Sequence, residues 1–359
     1  MSYLTNFMPA VRNNIPLIFL NSTSFTIPYS GRYRISAAGG GGGGGAAVYI
    51  AGSQNLGAGG GGGGGFVEKE LYMLSGDVLT ITVGASGTGA TAGTSAPNGN
   101  GGAGGDSTVI CSARNLAIAA GGGQGGQGIV STAGTAAGGA GGTAGGGDIN
   151  SPGGAGGYAV TYSSTSSRAC GGGGGMGGPF GTGGAGGNAI APSNNSYVLG
   201  GGGSVRFKGA NSTVNTTYGG GGGMGGQAAD GSATSGPNEV GYVVNYSSPS
   251  LDGLTRVSAF DDFADLWRAL TGGGTQAGIT ATNLQAAGPG GGTGAATGSM
   301  IGYTTKSVGG GTGGGYSNTS ANGGMPAFIG GGSGGFVALQ VGVQQANGGF
   351  GIVTVERIS

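Results

Sequence analysis

Two unbroken runs of seven glycines, Gly39–Gly45 and Gly59–Gly65, constrain this chain more than any other feature. Glycine loses the most backbone freedom on ordering and brings no side chain to a core. Such runs belong either to a disordered chain or to an architecture that needs the missing side chain. Glycine is 101 of 359 residues, a bulk that usually signals low complexity. Disordered chains, however, are typically charged and poor in aromatics. Here 12 basic residues balance 12 acidic ones, and 13 Tyr, 11 Phe and one Trp are present. A neutral chain this apolar would aggregate if unfolded, so an ordered protein is expected. Collagen is excluded, because glycine clusters irregularly and proline is sparse.

Strand signals gather toward the two ends. In Arg32-Tyr33-Arg34-Ile35-Ser36, Tyr33 and Ile35 share one face and the arginines the other. Phe66 to Met73 is rich in β formers, and a turn at Ser75-Gly76-Asp77 leads into Val78 to Val83, with Leu79, Ile81 and Val83 on one face. Val109-Ile110, Leu116 to Ile118, Phe336 to Val341 and Phe350 to Ile358 read as further strands. Glu68 and Glu70, and the pairs Arg32/Arg34 and Arg206/Lys208, have the spacing of exposed strand faces.

Glycine tracts fill the space between. Besides the two long runs there are Gly121 to Gly128, Gly171 to Gly175, Gly200 to Gly203, Gly219 to Gly223 and Gly309 to Gly315, the last broken by Thr312. Several show Gly-Gly-X spacing, and GGGGGMGG occurs at Gly171–Gly178 and again at Gly219–Gly226. In a threefold extended helix of the polyproline II kind, N–H and C=O groups point sideways. Without Cβ atoms, several such helices would pack nearly backbone to backbone and bond to one another, satisfying buried peptide groups. Seven residues would span roughly 22 Å. One segment departs from this pattern. Ser258 to Leu270 places Phe260, Phe263, Leu266, Trp267 and Leu270 at helical spacing, with Ser258 as N-cap and Gly272 after the end, so a short amphipathic helix is expected. It is either a plug on the bundle or a recognition element.

The expected fold is therefore an all-β framework, a small antiparallel sandwich or jelly-roll-like unit. It carries a bundle of packed polyglycine II helices and one short α-helix. Residues 1–20 read as an attachment segment and 21–359 as a single glycine-rich domain. Within it, a framework at 21–120 is closed by strands 336–341 and 350–358, with the bundle and its loops at about 121–335.

Chemistry is sparse. With no histidine, the common catalytic triads and the commonest metal ligand are missing. The carboxylates suit strand faces and a helix N-terminus, so neither enzymatic activity nor a cofactor or metal is expected. GxGxxG matches carry no weight in a chain this glycine-dense. GGAGGD at Gly101–Asp106 reads as a turn, since calcium repeats of that kind need stacked copies. Zero net charge and scattered cations leave no footprint for nucleic acid. No apolar stretch reaches the ~20 residues of a membrane span. The opening sequence has no basic leader, and its apolar patch, Ile15 to Leu20, is too short for a signal-peptide core. Cys111 and Cys170 form either one bridge or two free buried thiols, and free thiols are expected.

Tyrosines set among Ser, Thr and Asn are the better candidates. A rigid amphipathic ring beside adaptable polar groups is paratope chemistry, though the same rings also anchor loops on a scaffold. Tyr158, Tyr162, Tyr197, Tyr242, Tyr246 and Trp267 are the candidate contact residues.

FTIPYSGRYRI followed by a glycine run, then FVEKELYMLSGDVLTITVG, GGAGGDSTVI and a closing GGFGIVTVERI resemble the glycine-rich domain of bacteriophage tail-fibre tip proteins. A related pattern occurs in the glycine-rich ectodomain of the anaplastic lymphoma kinase receptor. The resemblance covers Phe25 to about Ala120 and the last strand, while Ile129 to Gly335 is similar only in glycine habit. The N-terminal attachment sequence of T-even-type fibre tips is not seen. The resemblance implies packed polyglycine II helices whose loops bind a bacterial outer-membrane protein or surface glycan. It also implies a virion protein mounted on a fibre shaft or another virion component, and self-association is compatible with it. Two other readings are a structural fibre or capsid protein without receptor binding, and a cellular ice- or surface-binding protein.

Overall fold

Alternation of apolar and polar residues builds the framework. In the computed structural model, residues 16–48, 55–92, 98–131, 134–162, 167–179, 181–191, 197–204, 208–209, 211, 217–218, 296–297, 307–308, 310–317, 327–338, 343–344 and 347–359 are described. Ten strands form the framework: β1 (Leu17–Phe19), β2 (Thr23–Thr26), β3 (Gly31–Ala38), β4 (Phe66–Met73), β5 (Val78–Thr82), β6 (Ser107–Cys111), β7 (Leu116–Ala120), β8 (Ala144–Gly145), β9 (Ile149–Ser151) and β10 (Ile352–Arg357). One antiparallel sheet runs β1-β10-β3-β4-β9 and the other β8-β7-β6-β5-β2.

The two sheets face each other across one core. Tyr33, Ile35, Val67, Met73, Val353 and Val355 from the first meet Leu79, Ile81, Val109, Cys111, Leu116 and Ile118 from the second. Tyr33, Ile35, Leu79 and Ile81 thus lie inward, as their spacing predicts. The turn between β4 and β5 uses Gly76 at φ 92°, a left-handed conformation that a side chain disfavours. Cys111 and Cys170 are buried in separate apolar clusters and are not bridged to each other.

From the framework the chain runs out along glycine tracts and returns. Residues 39–45 lead from β3 to the short strand Ala46–Val48, and 59–65 lead from Asn55–Ala58 back to β4. Successive amides of a tract donate in three directions, with a period of three. Gly39, Gly42 and Gly45 donate to the carbonyls of Gly65, Gly62 and Gly59, at 3.0, 2.8 and 2.9 Å. Gly40 and Gly43 donate to Gly105 and Gly102, both at 2.9 Å, and Gly41 to Gly349 at 2.7 Å. The second tract repeats the scheme: Gly59, Gly62 and Gly65 bond Gln127, Gln124 and Gly121, Gly60 and Gly63 bond Gly157 and Gly154, and Gly61 and Gly64 bond Ser333 and Gly330. Where no carbonyl is supplied, hydroxyls substitute: Ser333 Oγ accepts from Gly44 N, and Thr312 Oγ1 from Gly334 N at 2.8 Å.

Burial follows the same period. Residues 39–45, 59–65 and 171–177 are buried throughout. In the tracts at the margin every third residue is exposed and not glycine: Ala85 and Thr88, Asn100 and Ala103, Gln124 and Gln127, Ala137 and Ala140, Pro152 and Ala155. Unbroken runs lie inside, and Gly-Gly-X tracts form the rim.

At their far ends the tracts pass into short strands that pair mainly with one another. Asn55–Ala58 lies between Gly128–Ser131 and Arg168–Cys170, and the latter pairs in parallel with Tyr197–Leu199. Phe336–Ala338 belongs here, in parallel between Ala46–Val48 and Gly315–Ser317. Of the two strands expected to close the framework, only the last lies in it, as β10; Phe336–Ala338 is the continuation of a tract. The framework also takes in β8 and β9, beyond residue 120. Among the described residues the single helical element is the 3-10 turn Ser112–Arg114, ended by Asn115 at φ 49°. The helix expected over Ser258 to Leu270 lies outside the described residues.

A Cβ on an inner tract has nowhere to go. At Gly62 it would stand 2.0 Å from the carbonyl oxygen of Ala140, whereas at Gly145 it meets nothing within 4 Å. Gly62→Ala is expected to destabilise by more than the ~1–3 kcal/mol of ordinary overpacking, since backbone rather than a side chain must yield. Gly145→Ala is expected to be neutral or to stabilise by up to about 1 kcal/mol. Chemical denaturation of the two variants checks both.

Candidate functional site

The strand Ala159–Thr161 sits at the far end, antiparallel to Gly134–Ala136 and parallel to Ala189–Ile190. Its alternation is sharp. Ala159 and Thr161 are buried, and Ala159 joins a cluster of small residues, Ala136, Ala169, Ala189, Ala191 and Val198, against which Ile129 packs. On the opposite parity lie Tyr158, Val160 and Tyr162. Tyr158 is 37% exposed and Tyr162 52%, and Val160 between them is half-buried. The tyrosines stand four positions apart, about 13 Å along the backbone. Tyr158 also continues the exposed series Pro152, Ala155 of its tract, so the triplet phase of the glycine lattice itself turns this ring outward.

The backbone of each tyrosine is held by an asparagine. Asn188 Oδ1 accepts from Tyr158 N at 3.2 Å, and Asn188 N in turn donates to Asn211 Oδ1 at 2.9 Å. Asn55, buried in its strand, donates from Nδ2 to the Tyr162 carbonyl and accepts on Oδ1 from Ser167 N at 2.9 Å. Nothing in the local sequence marks Asn55, because its partners lie more than a hundred residues away.

The other expected contact residues divide. Tyr197 opens the strand Tyr197–Leu199, in register with Arg168 of the neighbouring strand. It therefore shares the far end with Tyr158 and Tyr162. Tyr242, Tyr246 and Trp267 lie outside the described residues.

Charge is distributed unequally between the two ends. Among the described residues of the far-end strands, Arg168 is the one charged residue, and it is buried. The framework holds dense ion pairs instead. On the outer face of its first sheet Arg34 meets Glu70 at 2.9 Å, Glu356 at 3.4 Å and Glu68 at 3.8 Å, and Arg32 meets Glu70 at 3.1 Å. Burial works against the charge on Arg34, but the Glu70 hydrogen bond and the Glu68 and Glu356 charges outweigh it and raise its pKa. Lys69 pairs with Asp148 and lowers that carboxyl. Among the described residues no three Cys, Asp or Glu side chains converge on a metal-sized site. Gly101–Asp106, expected to be a turn, is instead a tract whose glycine amides donate to the carbonyls of Gly126, Thr88, Gly123 and Ala85, and at its end Asp106 Oδ1 accepts from Gly122 N at 2.8 Å.

The sequence model of a family described as a glycine-rich domain matches residues 20–248. No curated protein matches the chain.

The ion pair between Arg114 and Asp77 joins the turn that follows β6 to the turn that precedes β5. The Arg114 hydrogen bond holds the Asp77 carboxyl below the usual carboxylate range, helped by the amide of Leu74 at 2.7 Å. A carboxyl lowered in the folded state contributes stability above its unfolded pKa of about 3.9, and that stability is lost as pH falls through the folded value. Arg114→Ala is therefore expected to lower the melting temperature near neutral pH. The gap from the parent should close in acid, once Asp77 is protonated in both. Thermal melts across that range check it.

Proposed function

The chain belongs to the glycine-rich domain family, and from that premise we propose that it is a phage receptor-binding adhesin, carried at a tail-fibre tip and acting at the host surface. On this reading the tracts are polyglycine II helices, whose threefold repeat accounts for the three directions of donation. The far-end strands present Tyr158, Tyr162 and Tyr197 to a bacterial outer-membrane protein or surface glycan. The framework faces the virion, with residues 1–20 as the attachment segment.

The observation that carries this reading is the polarity of the molecule. Tyr158 and Tyr162 stand exposed at an end whose described strands carry one charged residue, the buried Arg168, whereas the ion pairs gather at the framework, where the exposed Tyr29 and Tyr72 lie among charges. A tyrosine presented on a rigid support loses little freedom on binding, so more of its contact energy appears as affinity. Several weak contacts on one virion then add through avidity, with no reaction involved.

Purified protein is expected to adsorb to bacterial cells and to compete with phage infection of them. Tyr158→Ala and Tyr162→Ala are each expected to weaken adsorption by about thirtyfold, the lower edge of an interface hot spot, with the melting temperature unchanged. Protein that adsorbs to no cells and blocks no infection would remove the proposal.

A further inference from the structure

We propose that Asn55 is a positioning residue for the far-end contact, acting on a receptor through Tyr162 without touching it. The inference rests on the proposed function in one respect, that Tyr162 is a contact residue.

Asn55 opens the strand Asn55–Ala58, whose neighbours are Gly128–Ser131 and Arg168–Cys170. Its side chain is 1% exposed. A buried carboxamide must place both its donor and its acceptor. Here the donor goes to the carbonyl of Tyr162 and the acceptor takes the amide of Ser167, at 2.9 Å. The Ser167 carbonyl accepts from Leu56 N, also at 2.9 Å. One side chain therefore links Tyr162, which follows Ala159–Thr161, to Ser167, which precedes Arg168–Cys170. Those strands belong to different sheets, so no ladder hydrogen bond runs between them. The Asn55 side chain connects the two. It sets the backbone of Tyr162, and with it the direction from which a half-exposed ring leaves the surface. Tyr158, at the other end of the strand, is set in the same manner by Asn188.

A residue that acts through another has a distinctive signature: its effect disappears when that other is removed. The test is a double-mutant cycle of Asn55→Ala and Tyr162→Ala, read as adsorption to cells that take up the wild-type protein. Asn55→Asp is made alongside, because it keeps the oxygen that accepts from Ser167 but loses the donor to Tyr162. Melting temperatures confirm that each variant folds. Hydrogen exchange at the Ser167 amide reports this link directly and independently of binding.

Asn55→Ala is expected to weaken adsorption about tenfold in the parent and less than about twofold in the Tyr162→Ala background. Ser167 exchange should be faster in Asn55→Ala, while Asn55→Asp should keep Ser167 protected and still lose adsorption. An equal loss in both backgrounds would make Asn55 merely structural and overturn the proposal, as would Ser167 exchange unchanged by Asn55→Ala. If the wild-type protein adsorbs to nothing, the proposed function fails, and with it the role of Asn55 at a receptor. The exchange measurement then still decides whether the Asn55 side chain holds Ser167.

Discussion

Peptide groups hydrogen-bonded from one extended tract to the next are the interaction on which the remainder of this structure depends. An ordinary domain hides its backbone in helices and sheets and fills the space between them with side chains. Here the backbone fills the space. Each inner tract donates to three neighbours in turn, and each acceptor belongs to a tract that donates elsewhere. Such a lattice has two strict requirements. Every buried N–H needs a carbonyl or hydroxyl within reach, and no Cβ can stand between tracts about 2 Å from a carbonyl. Glycine meets the second. Ser333 and Thr312, contributing a side-chain oxygen where a carbonyl is missing, meet the first.

The framework solves a different problem with ordinary means. Glycine tracts have no side chains to say which tract is which, so a lattice alone does not define its own register. The two sheets supply it. Ser107 shows how the two parts connect: its hydroxyl donates to the carbonyl of Ala38 at 2.6 Å and accepts from the amide of Gly84 at 2.9 Å. One side chain at the start of β6 thus ties the last residue of β3 to the first of a tract. Asp106 does similar work one residue earlier. Phase set at such junctions is carried outward along the tracts to the far end.

This division explains what could be read from the residues alone. Strand faces in the framework were legible, because Tyr33, Ile35, Leu79 and Ile81 obey a period of two that water enforces. The contrast between unbroken runs and Gly-Gly-X was legible as a pattern, and its meaning follows from the structure: a non-glycine at every third position marks a tract with one side open. Which tract lies beside which was not legible, because glycines are identical and any pairing would satisfy the same amides. For that reason Phe336–Ala338 read as a framework strand, its apolar residues being indistinguishable from those of β10. Tyr158 and Tyr162 stood out by chemistry, whereas Asn55 did not. A buried asparagine that bonds distant backbone groups leaves no periodic trace in its own neighbourhood.

The triplet repeat gives the tracts something like a reading frame. A residue inserted into the loop between two tracts only lengthens the loop. A residue inserted within a tract turns everything beyond it by a third of a revolution. Donors then aim at the wrong neighbour, and the outward alanines and glutamines swing into backbone. Change of length is therefore confined to the places where the chain reverses, and within the tracts it is admissible only in threes. Sequence drift in such a protein is channelled to its turns, which can diversify freely while the spacing beneath them stays in phase.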